Sequence, residues 1–182
     1  MQFSKSRRRV LSMAAGTAAV LIAAPALAVP RFGSPDRRSL AFHNLHTGEN
    51  LDLVYWADGG YEPGALREID RVLRDFRTGD VHPIDPKLLD LLVAVREKLD
   101  TSGPFHVISG YRSPATNALL RSASEGVAKS SLHMQGQAID VRVPGRPLPQ
   151  LREVAMSLGG GGVGYYLGSD FVHIDTGRVR HW

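Results

Sequence analysis

The sequence predicts an α+β domain in which helices pack on a small, mainly antiparallel sheet. Three observations carry this reading. Helical periodicity is concentrated between residues 63 and 100, and strand-like alternation dominates after residue 104. Turn signals fall where hairpins need them, at Thr47-Gly48 and at Gly168-Ser169.

Each element follows from local pattern. Residues 40–56 alternate weakly through Leu51, Leu53 and Tyr55, giving a hairpin around Thr47-Gly48. Pro63 opens a helical stretch running to about residue 77, apolar at Leu66, Ile69, Val72, Leu73 and Phe76. Asp85-Pro86 is a cap followed by a first-turn proline, and Leu88, Leu89, Leu91, Leu92, Val95 and Leu99 make the helix after it well buried. Residues 105–111 read as a strand, 114–121 as a short helix and 122–136 as a polar loop. A strand over 137–143, a helix over 149–158 and a closing hairpin of 163–167 with 171–176 complete the order.

The N-terminus has another character. Lys5, Arg7, Arg8 and Arg9 precede an uncharged apolar stretch, which ends in Pro25 and Ala26-Leu27-Ala28. This is the layout of an export signal with cleavage near Ala28. Ser6-Arg7-Arg8-Arg9-Val10-Leu11 resembles the twin-arginine signature, which implies passage through the twin-arginine machinery to the periplasm or cell envelope. The expected organisation is therefore a signal at 1–28, a flexible lead-in at 29–39 and one domain at 40–182, expected to act as a monomer. The alternative for the first segment is an uncleaved membrane anchor.

Charge and composition exclude several function classes. All 18 acidic residues lie after position 28, whereas 4 of the 22 Lys and Arg lie before it. The remainder is formally neutral, so the basic pI gives no reason to expect nucleic-acid binding. Cysteine is absent, which rules out a cysteine nucleophile and a Cys-type zinc site. No lysine follows a serine by three positions, so the Ser-x-x-Lys motif of serine penicillin-binding enzymes is missing as well.

The most informative stretch is Ser131-Leu132-His133-Met134-Gln135-Gly136-Gln137-Ala138-Ile139-Asp140. Strand alternation puts Ala138, Asp140 and Arg142 on one face and the apolar Ile139, Val141 and Val143 on the other. Asp140 thus stands on the open face, and Gly136 permits a bend that brings His133 back over it. In Phe171-Val172-His173-Ile174-Asp175 the same parity sets His173 opposite Val172 and Ile174. If these strands pair, two imidazoles and a carboxylate converge and leave one position open, as a catalytic Zn2+ requires.

Ser131-x-His133-x-x-Gly136-x-Ala138-x-Asp140, followed by Asp170-x-x-His173, resembles the zinc D-alanyl-D-alanine peptidases of bacterial cell walls. Within them it is most similar to the murein endopeptidase K-like group, which the segments 42–49 and Ser109-Gly110-Tyr111-Arg112-Ser113-Pro114 also resemble. The resemblance covers nearly all of the chain after the signal. It implies a D-Ala-D-Ala metallopeptidase-like, hedgehog-like fold, one zinc held by His133, Asp140 and His173, and hydrolysis of peptide crosslinks in peptidoglycan stem peptides. It implies Asp170 as general base or acid, where many relatives carry Glu, and Arg112 as the residue that orients or polarises substrate. Ser131 and, more weakly, Tyr111 would line the site. Asp175 shares a strand face with His173 and rivals Asp170. A D,D- or L,D-carboxypeptidase and a non-catalytic wall-binding domain with zinc are the alternative functions. His43, His46, His82 and His106 are read as hairpin, loop or strand residues without a catalytic role, and His181 as a mobile penultimate residue.

Overall fold

A computed structural model describes residues 37–123 and 127–182. The expected export signal and residues 29–36 of the lead-in lie outside the described residues. Among the described residues no helix is long and apolar enough to cross a membrane.

The hairpin expected around Thr47-Gly48 forms from β1 (Arg37–Asn44) and β2 (Asn50–Ala57), with a short β3 (Gly60–Tyr61) beyond it. Helix α1 (Pro63–Val72) stops about five residues earlier than its periodicity predicts. The chain turns there because Asp75 draws in the backbone: its Oδ1 accepts from the Arg77 amide at 2.9 Å. Helix α2 (Pro86–Lys98) begins as expected, with the Asp85 side chain accepting from the Lys87 amide at 2.9 Å. Then follow β4 (Phe105–Ser109), α3 (Pro114–Ala123), β5 (Ala138–Arg142), α4 (Leu148–Leu158), β6 (Gly162–Tyr166), β7 (Phe171–Asp175) and β8 (Arg180–His181). The polar loop before β5 contains a 3-10 turn at Leu132–Gln135 that carries His133.

The sheet departs from the expectation of a small, mainly antiparallel one. It has eight strands in the order β3-β2-β1-β4-β5-β7-β6-β8 and is mixed. The cause is a parallel pairing of β1 with β4, through Phe42 and Phe105, His43 and His106, and Asn44 and Val107. It fuses the N-terminal hairpin to the C-terminal strands. A parallel pair needs a long crossover, and the segment holding α1 and α2 supplies it. A second parallel pair joins β8 to β6 at the far edge. Two residues of pairing leave β8 no detectable alternation in sequence.

One face of this sheet is the core side. Phe42, Phe105, Val107, Ile139, Val141, Val172 and Ile174 are all buried there with Leu88, Leu89 and Leu92 of α2 and Leu151 of α4. At roughly 1.5–3 kcal/mol for each fully buried aliphatic or aromatic side chain, this face fixes the parity of β5 and β7. Their polar residues are therefore forced to the opposite face. The register sets Asp140 directly across from His173, and Ala138 across from Asp175.

Gly136 makes the expected bend, with φ of 66°. Its amide hydrogen-bonds to the His133 carbonyl, and its carbonyl accepts from the Asp85 amide at 2.9 Å. A Cβ here would lie 2.1 Å from the Pro83 carbonyl oxygen. Gly136→Ala therefore combines left-handed strain of about 1–2 kcal/mol with a backbone clash. Urea unfolding should register a loss greater than the strain alone.

Candidate metal centre

Three buried side chains converge on the polar face of the sheet. Asp140 Oδ1 lies 2.8 Å from His173 Nδ1 and 3.2 Å from His133 Nε2, and the two imidazole nitrogens are 3.2 Å apart. Zinc bonds of about 2.0–2.1 Å in a tetrahedron place ligand atoms about 3.3 Å apart. The donor set and its spacing therefore fit a metal ion of that kind. His133, Asp140 and His173 are also the group of potential ligands found together among the described residues.

The outer nitrogen of each imidazole is held from behind. His133 Nδ1 donates to the Gly110 carbonyl at 2.7 Å, which leaves Nε2 facing the cluster. His173 Nε2 lies 3.0 Å from Asp175 Oδ2, which leaves Nδ1 facing Asp140. Such partners set which nitrogen can bind a metal. Burial acts to raise the Asp140 pKa, but the two imidazoles outweigh it and hold the carboxyl far below its usual range. Burial lowers His173, while hydrogen bonds to Asp140 and Asp175 act more strongly and bring it up to about 9. A cation binding at Nδ1 takes the place of that proton.

The cluster opens into a cavity of about 850 Å³. Arg112 lines it, with Nη2 3.6 Å from Asp140 Oδ2 and a buried Nε that has no hydrogen-bond partner. Burial lowers the Arg112 pKa. Ser131 lines the cavity as well. Tyr111 does not: its ring stacks on His82 with centroids 4.8 Å apart, and its amide binds the Leu73 carbonyl. Asp170 also stands apart. It occupies the left-handed corner before β7, is largely exposed, and pairs with Arg142 beside a separate pocket that includes His106. Asp175 is fully buried behind His173.

A match to the family model described as peptidoglycan L,D-endopeptidase MepK spans residues 33–182. The chain belongs to the MepK peptidase family. The Escherichia coli (strain K12) peptidoglycan L,D-endopeptidase MepK is 41% identical over 182 residues, covering 100% of this chain and 99% of that protein. The probable MepK of Haemophilus influenzae is 40% identical over 179 residues, covering 98% of this chain and 96% of its own. The motif residues quoted from the sequence thus sit in a chain that matches MepK proteins from end to end.

Sequence reasoning missed several residues of this MepK-family cavity. His46 lines it, stacked on Phe76 with centroids 3.8 Å apart, although it reads as a hairpin residue. Arg77, Arg180 and Trp182 line it too, and none belongs to a spaced motif; Tyr166, a closing-hairpin aromatic that the sequence left between core and cleft, lines it as well. Asp75 holds two of these walls together. Its Oδ2 accepts from the Ser113 amide at 2.9 Å while Oδ1 takes the Arg77 amide, so the end of α1 is tied to the loop bearing Arg112. Burial raises its pKa, but hydrogen bonds from Thr116, Ser113 and Arg77 outweigh burial and lower it to about 2.

That shift has a definite sign. A carboxyl depressed in the folded state adds stability that is complete above its unfolded pKa of about 4 and disappears as pH falls through its folded value. Asp75→Asn should cost about 1–3 kcal/mol at pH 7, the price of leaving buried donors unpaired. The gap from wild type should close progressively between about pH 4 and pH 2, read by denaturant titration across that range.

Proposed function

We propose that this peptidase is an exported zinc metallopeptidase that hydrolyses peptide crosslinks of bacterial peptidoglycan. The observation that carries the reading is the convergence of His133 Nε2, Asp140 and His173 Nδ1 in a chain of the MepK family. The names of its relatives favour an endopeptidase over a carboxypeptidase. On this reading residues 1–28 are the twin-arginine export signal, 29–39 the lead-in, whose last three residues already pair in β1, and 40–182 the catalytic domain, of D-Ala-D-Ala metallopeptidase-like, hedgehog-like fold, acting in the periplasm or envelope.

His133, Asp140 and His173 hold the zinc. When bound, it supplies Lewis acidity toward a carbonyl and makes water acidic enough to serve as nucleophile near neutral pH. Arg112 presents guanidinium N–H groups to the scissile carbonyl or a neighbouring carboxylate. Its place on the cavity wall beside Asp140 supports this role. Asp170 leaves Arg142, takes a proton from water on a carboxylate oxygen and passes it to the leaving nitrogen. The spacing Asp170-x-x-His173 supports Asp170 over Asp175. So does the environment of Asp175, whose oxygens already accept from His173, Arg180 and the amides of Gly162 and Gly177.

The cavity lining also suits an acidic stem peptide. His46, Arg77, Arg112 and Arg180 border it, and Asp140 is the sole carboxylate among the described residues that do so. Arg77 carries no ion pair among the described residues, and its guanidinium rests 4.2 Å from the Phe76 ring centroid.

Crosslinked muropeptides incubated with the purified protein, with and without a chelator, give the direct test. Chelator-sensitive cleavage, identified by product mass, is expected; no such cleavage of any crosslink would overturn the proposal. His133→Ala should lose both zinc and activity. Asp170→Ala should keep its zinc and lose about 10²–10⁴-fold in kcat, the usual contribution of a general base. Arg77→Ala should raise KM about tenfold for substrates with free carboxylates, equivalent to about 1.4 kcal/mol of binding. It should leave KM unchanged for amidated ones.

A further inference from the structure

Asp175 ends β7 with no exposed surface, and the chain surrounds its carboxylate with donors. Oδ2 accepts from Arg180 Nη2 at 2.7 Å and from His173 Nε2 at 3.0 Å. Oδ1 accepts from the Gly177 amide at 2.8 Å, the Gly162 amide at 3.0 Å and Arg180 Nη1 at 3.1 Å. The room for this arrangement comes from missing side chains. A Cβ at Gly162 would lie 2.5 Å from Asp175 Oδ2, and one at Gly177 would lie 3.0 Å from Oδ1. Arg180 is itself placed by β8 and lies 4.9 Å from the Trp182 ring centroid.

We propose that Asp175, clamped by Arg180 and the amides of Gly162 and Gly177, is the positioning carboxylate that fixes which nitrogen of His173 faces the metal. The inference rests on the zinc reading above. A neutral imidazole carries one N–H, and an ionised carboxylate can only accept. With Asp175 behind Nε2, one proton stays on Nε2, and Nδ1, the nitrogen whose proton a cation displaces, points at Asp140 and His133. The clamp also fixes the ring plane, because Asp175 is itself held by four hydrogen bonds from three residues other than His173.

An asparagine in this place cannot reproduce the arrangement. Every direction around the carboxylate is met by a donor, so the amide NH2 must face one of them. Turned toward Gly162 and Gly177, it opposes two backbone N–H groups. Turned toward His173, it makes Nε2 an acceptor and moves the ring proton to Nδ1, the atom that must bind metal. Either orientation weakens the site without touching a ligand.

Two variants of the full chain, Asp175→Asn and Arg180→Ala, test this against wild type. Zinc affinity is measured by competition with a chromophoric chelator, and folding of each metal-free protein is checked by circular dichroism. A purely structural ion pair would change thermal stability but not the zinc affinity of folded protein. Asp175→Asn should weaken zinc binding about 10–100-fold, the usual cost of losing a partner of a metal-bound histidine. Arg180→Ala, at a half-buried position, should weaken it by a smaller factor. Folded Asp175→Asn with wild-type zinc affinity would overturn the inference while leaving the zinc reading intact. If Asp175→Asn does not fold, Arg180→Ala decides: weakened binding supports the clamp and unchanged affinity overturns it. Wild-type protein that binds no zinc would overturn the zinc reading, and the clamp with it.

Discussion

The antiparallel register between β5 and β7 is the constraint on which the candidate site depends. It sets Asp140 across from His173, and the apolar residues between them leave no freedom in that choice. Ile139, Val141, Val172 and Ile174 are buried on the core side. Slipping either strand by a residue would turn its own apolar pair toward the cavity and drive its polar group, Asp140 or His173, into the core. The hydrophobic effect thus places a carboxylate and an imidazole in contact, at a cost in desolvation that neither would bear alone. A bound cation would compensate that cost, and the surrounding hydrogen bonds orient the donors toward it.

The three ligand candidates reach the cluster by different physical routes. Asp140 and His173 are placed by strand parity, the strongest geometric rule available. His133 is placed by a turn, and the turn is held by the left-handed Gly136 and by the close approach of Pro83. The Gly110 carbonyl then fixes its ring. The loop bearing Arg112 meets this turn through a hydrogen bond from the Arg112 amide to the His133 carbonyl at 3.1 Å. The His133 turn and the loop bearing the guanidinium are thereby coupled through one backbone hydrogen bond.

Much of this was legible in the sequence. The parity of 138–143 and 171–175 gave the polar and apolar faces, and Gly136 in its motif gave the bend. The helix over 86–98 announced itself through its Asp-Pro start and dense leucines. What stayed hidden was long-range or very short. The parallel seam between β1 and β4 leaves no local signal, because two strands 60 residues apart pair by topology rather than by a turn. The early end of α1 was hidden too, since Phe76 continues the apolar periodicity while Asp75 breaks the helix for a partner far along the chain. Arg180 and Trp182 carry no recognisable spacing and gain their places only through β8.

Gly110 and Tyr111 bring the cavity wall hard against α1. The Tyr111 amide bonds the Leu73 carbonyl at 2.7 Å, and a side chain at Gly110 would collide with that same carbonyl, 2.4 Å from its Cβ. With Asp75 pinning the next turn, the wall that bears Arg77 and Arg112 is seamed to the helical layer at successive points. It therefore behaves as the fixed jaw of the cleft. The opposite side, where Trp182 Nε1 donates to the Tyr166 hydroxyl and Tyr166 stacks on Phe171, is joined by side chains near the surface. The two sides of the cavity are thus held by different means, one by backbone seams to the helical layer and the other by aromatic side chains at the β6–β7 turn and the C-terminus.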